Sequence, residues 1–82
     1  MDKISLRQTG NNGYFTTSII LNEASEKVGI IEYHYNCKKS YYVGWKLDKP
    51  KNPNMETGTT KGFDTLEAAI SFSLEGGNNN GQ

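Results

Sequence analysis

His34 is the only imidazole in this 82-residue chain, and Glu32 lies two positions before it. Residues two apart in an extended strand share a face. The pair is therefore the one place where the parts for acid–base chemistry stand together. Cys37, the only cysteine, follows beside Lys38 and Lys39. Their charges favour a thiolate, but no base other than His34 is within reach. The simplest reading makes His34 a sheet-surface histidine and Cys37 an exposed thiol. One His, one Cys and scattered carboxylates show no metal-ligand spacing. Neither GxGxxG nor GxxxxGK[ST] occurs, so no phosphate-cradling loop is expected. These observations predict a protein that is not an enzyme and holds no cofactor and no metal.

Composition sets further bounds. The chain is short enough for one domain only, and a core this small must be efficient. Apolar residues make up 34% and aromatics 11%, so large rings supply much of the burial. A single cysteine forms no internal disulfide and suits a reducing, cytoplasmic setting. The opening MDKISLRQTG has no apolar core of a signal peptide. No apolar run is long enough to span a membrane.

Nine basic residues balance nine acidic ones. The zero is a cancellation. Residues 33–62 hold six lysines against Asp48 and Glu56, a net of +4, while residues 63–82 hold Asp64, Glu67 and Glu75, a net of −3.

The elements that position these groups read as strands followed by a helix. Residues 3–9 alternate apolar and polar, with Ile4 and Leu6 on one side. Gly10-Asn11-Asn12-Gly13 suits a hairpin turn. Residues 14–21 are rich in β-branched and aromatic types, with Phe15, Thr17, Ile19 and Leu21 on the more apolar side. A third strand over 27–36 offers Ile31, Tyr33 and Tyr35. A fourth over 41–47 offers Tyr41, Val43, Trp45 and Leu47. One self-consistent register places Tyr35 opposite Tyr41, Ile31 opposite Trp45, Ile19 opposite Ile31 and Ile4 opposite Ile19, which gathers these residues on one face. Residues 48–60 carry Pro50, Pro53 and Gly58 and read as a loop with a short extended piece near 57–61. Asp64-Thr65-Leu66-Glu67 resembles a capping box, and a helix follows from about Thr65 to Glu75, stopped by Gly76-Gly77. Leu66, Ala69, Ile70 and Leu74 form its apolar stripe. Phe72 lies off that stripe, placed to pack at the sheet edge. The expected fold is α+β: a four-stranded antiparallel meander with one C-terminal helix on its apolar face, a single domain over 1–76 and a disordered polar tail over 77–82.

The face away from the helix then carries the candidate contacts Tyr14, Ile20, Ile30, His34, Tyr42 and Lys46. Apolar residues on a solvent-facing sheet mark contact surfaces. A second candidate surface is basic. Lys38, Lys39, Lys49, Lys51 and Lys61 would meet nucleic-acid phosphates, with Tyr42 as the available ring.

Residues 40–47 (Ser-Tyr-Tyr-Val-Gly-Trp-Lys-Leu) and 59–69 (Thr-Thr-Lys-Gly-Phe-Asp-Thr-Leu-Glu-Ala-Ala) resemble the end of an integrase-arm or AP2-like DNA-binding domain. The resemblance covers about a third of the chain. It implies a three-stranded sheet, a Gly-Phe-x-Thr-x-x-x-Ala junction and one helix, with DNA read by the outer sheet face. In this chain that face carries Glu32, Ile20 and Ile30, and Arg7 is the only arginine. Arginine is the usual bidentate base reader.

The first expectation is accordingly a small protein-binding module, an inhibitor or regulator of a partner protein such as a phage or mobile element encodes. The alternative is a DNA- or RNA-binding module using the lysines of 38–61. No membrane partner is expected, and the chain would be a monomer or, through its edge strands, a homodimer.

Overall fold

Glycine and asparagine punctuate the first half of the chain and force it into hairpins. In the computed structural model, which describes residues 3–77, five strands run in the order β1(Ser5–Asn11), β2(Phe15–Leu21), β3(Lys27–His34), β4(Tyr41–Leu47) and β5(Gly58–Phe63). They form one antiparallel meander in which each strand pairs with the next. The helix α1(Leu66–Gly77) follows and packs on β3, β4 and β5. The architecture is α+β as expected, and the short extended piece is a full fifth strand. The helix runs through Gly76 and Gly77, which were expected to stop it, so Gly77 belongs to the helix and not to the expected tail, whose residues 78–82 lie outside the described residues.

The turns are built by side chains. Asn12 Oδ1 accepts from the N–H groups of Tyr14 and Phe15 at 2.9 and 3.0 Å, and Gly13 takes a φ of 91° that favours glycine. Asn22 Oδ1 accepts from Ala24 and Glu26 N–H, each at 2.9 Å, and turns β2 into β3. Thr65, rather than Asp64, caps the helix: its Oγ1 accepts from Ala68 N–H at 3.2 Å.

The register differs from the expected one. Ile19 lies opposite Ile30, and Ile30 opposite Trp45. Both ladders are displaced by one residue relative to the expectation, so β2 and β4 present their other faces to the helix. The helix covers Ile20, Val28, Ile31, Gly44 and Tyr42, and leaves Phe15, Ile19, Val43 and Trp45 on the far side.

Close approach decides this. A Cβ on Gly44 would stand 2.5 Å from the carbonyl oxygen of Ala69, so the helix backbone sits directly on β4 at this glycine. Gly29 makes equal room on β3 for Ser73. The Ser73 hydroxyl accepts from Ile30 N–H at 3.2 Å and donates to the Trp45 carbonyl, bridging two strands beneath the helix. The core is completed by Ala69, Leu66, Ile70, Leu74 and Phe63. Phe72 packs on Phe63 of the edge strand β5, with ring centroids 5.5 Å apart, as its position off the apolar stripe implies.

Residues 48–57 do not project as a free loop. Asp48 N–H donates to the Thr57 carbonyl at 2.8 Å and closes their neck. Lys51 N–H donates to the Lys27 carbonyl at 2.6 Å, while Lys27 Nζ reaches Met55 O at 3.2 Å and Glu56 Oε2 at 3.4 Å. Lys27 is 8% exposed. These bonds fold the loop toward the face opposite the helix. Ile30 and Leu47 are buried on that face although no helix covers them, with Ile30 set between its register partners Ile19 and Trp45.

Candidate partner-binding face

Beyond the loop, the face opposite the helix stays open, and its strands pair so as to align three rings. Phe15, His34 and Tyr41 are successive register partners across β2, β3 and β4. Their rings stack, with centroids 4.5 Å apart for Phe15 and His34 and 4.7 Å for His34 and Tyr41. The imidazole is thus held between two aromatic faces.

The next row along β3 carries Glu32, which shares the face of His34. Its Oε1 lies 2.8 Å from His34 Nε2, and its Oε2 accepts from Trp45 Nε1 at 2.9 Å. A carboxylate only accepts, so Nε2 carries the proton in this arrangement. The His34 and Glu32 side chains are 21% and 16% exposed. A half-buried carboxylate with both oxygens engaged is a fixed structural element of the face.

The expected His–Glu pair therefore forms, and it lies on the expected face. Chemically it orients rings. The Cys37 thiol points to main-chain oxygens of Lys39 and His34, at 3.2 and 3.5 Å. It meets a histidine carbonyl there rather than the imidazole. Among the described residues no group of three or more His, Cys, Asp or Glu side chains is placed to hold a metal ion.

The other expected contact residues separate. Ile20 is fully buried beneath the helix, a correction that follows from the displaced register. Tyr42 is also on the helix side, packed on the core and stacked on Tyr33 at 4.9 Å. Lys46 is on that side too, over the Phe72 ring at 5.0 Å and 3.7 Å from Glu75. Ile30 lies on the face away from the helix, as expected, but is buried there. Tyr14 is 66% exposed in the β1–β2 turn. Sequence reasoning placed Phe15, Tyr41, Val43 and Trp45 in the core, and these residues are on the open face. The signal that would have placed them is Gly44: a glycine inside a strand marks where another backbone approaches.

The lysines do not form one track. Lys38 and Lys39 lie at the β3–β4 turn, whereas Lys49 and Lys51 lie beyond the other end of β4, a strand of 7 residues. Strand rise puts the two groups more than about 20 Å apart. Lys61 pairs with Gly44 and so belongs to the helix side. Lys39 lies 4.0 Å from Asp64 and Lys51 lies 3.8 Å from Glu26.

A cleft of about 420 Å³ opens where the loop meets β1 and β2. Ile19, Leu21 and Pro53 give it apolar walls, and Arg7, Lys27 and Lys51 line it together with the carboxylates of Glu26 and Glu56. Comparison with protein-family models, curated proteins and solved structures finds no match to this chain.

Proposed function

We propose that this chain is a non-catalytic protein-binding module, an inhibitor or regulator that meets its partner through the open sheet face. The carrying observation is the stacked column Phe15–His34–Tyr41 on the face that no helix covers. A solvated sheet needs only β-branched and polar side chains. Aromatic rings held rigid by stacking and by Glu32 supply contact area at little entropic cost, which is the character of interface hot spots. Tyr41, at 38% exposed, stands at the end of the column and is the ring offered to a partner.

The same geometry weighs against a nucleic-acid platform. Base stacking needs a free ring face, and both faces of His34 are occupied. The open face carries Glu32, and the lysines are divided between the two ends of the sheet. His34 is held between two rings and both Glu32 oxygens are engaged by His34 and Trp45, an arrangement that supports a fixed binding face.

The test is a pair of assays on the full chain. A low-salt gel shift with DNA and RNA at micromolar protein is expected to show no complex. Hydrogen exchange on the complex with a partner captured from the native host is expected to show protection on β3 and β4 around His34 and Tyr41. A nucleic-acid complex that weakens steeply with salt, or protection confined to the helix side, would overturn the proposal.

A further inference from the structure

We infer that the free edge of β1 is a docking strand for an extended acidic segment of the partner protein, with a partner carboxylate seated on Arg7 and a neighbouring apolar side chain over Leu21. The inference rests on the protein-binding reading above and names the chemistry of the partner.

The first observation is the edge itself. β1 pairs with β2 alone, and all seven of its residues are exposed. The helix does not reach it. Natural edge strands are usually guarded by lysine, proline, inward charges or bulges. Between Ser5 and Asn11 there is no lysine, proline or acid. The one irregularity falls between Gln8 and Gly10, so Ser5–Gln8 pairs regularly with Leu21–Ser18 and is a regular template for another strand. The opposite edge, β5, contains Gly58, Lys61 and Gly62 and has the helix against it.

The second observation is the cleft beside this regular half. Its cations are unequal. Lys27 is 3.4 Å from Glu56, and Lys51 is 3.8 Å from Glu26. Arg7 has no carboxylate within 4.0 Å among the described residues, although its guanidinium is a fork suited to bidentate carboxylate binding. Arg7 stands opposite Ile19, and Ser5 opposite Leu21. In an added strand, the residue facing Arg7 shares its side of the sheet, and the residue two further on faces Ser5. The small Ser5 side chain leaves the way to Leu21 open. An acid followed at the second position by an apolar residue therefore matches the surface. A second copy of β1 does not, because it brings arginine and no acid.

The probe is an amidated peptide of about seven residues, the length of β1, alternating valine and threonine around a central glutamate, titrated into the full chain and followed by amide NMR and hydrogen exchange. Protection of β1 amides with shifts at Arg7, Ile19 and Leu21 is expected. Arg7→Ala should weaken binding about tenfold or more, as loss of a charge-assisted bond does. Arg7→Glu should abolish binding of the glutamate peptide and restore binding of its glutamate-to-lysine counterpart. Absence of shifts, shifts unaffected by Arg7→Ala, concentration-dependent dimerisation through β1, or binding of hexanoate in the cleft without protection of β1 would overturn the inference. If the captured partner is lost on Tyr41→Ala and retained on Arg7→Glu, the docking strand fails while the protein-binding reading stands.

Discussion

Trp45 donates its indole N–H to Glu32 at 2.9 Å across the β3–β4 ladder. The register partner of Trp45 is Ile30, so the bond runs diagonally to the next row of the same face. It sets the indole and, through the second carboxylate oxygen, the imidazole of His34. One acidic side chain thus fixes two rings on the face that the protein presents.

Glu32→Ala removes the acceptor of both bonds. The variant should lose about 1–3 kcal/mol, the cost of leaving partly buried donors unpaired. Glu32→Gln keeps an acceptor for the indole and should lose less. Urea denaturation followed by Trp45 fluorescence separates the two.

Gly44→Ala places a methyl group against the Ala69 carbonyl, an obstacle of backbone that no rotamer change relieves. It should cost about 3 kcal/mol or more and disturb the helix position. Gly13→Ala meets no atom within 4 Å and carries only the strain of a φ of 91°, so it should cost about 1 kcal/mol. Thermal unfolding of the two variants gives the comparison.

Lys27→Met keeps the buried stem and removes the ammonium that holds Met55 and Glu56. The sheet should remain folded. Hydrogen exchange at the amides of Asp48 and Lys51, which tie the loop, should accelerate relative to that of β3.

The elements were legible because their local chemistry is explicit: Asn-Gly turns, β-branched strands, and a helix with an apolar stripe, although its cap is Thr65 where Asp64 was expected. The sheet faces were not. β2 offers Phe15, Ile19 and Leu21 on one side and Ile20 on the other, and β4 offers rings on both sides. With both faces apolar, alternation does not specify register. The tie of the buried Lys27 to Met55 and Glu56 joins residues distant in the chain, which periodicity does not carry. His34 and Glu32 were placed correctly because they are two apart on one strand, which no choice of register alters.

The most direct test is the affinity of the full chain for its captured partner, measured for the natural sequence, for Tyr41→Ala and Val43→Ser on the open face, and for Ser18→Ala on the helix side. Each open-face variant is expected to fold and to bind about tenfold or more weakly, with Ser18→Ala unchanged. Unaltered affinity in both open-face variants, with folding retained, would contradict the account.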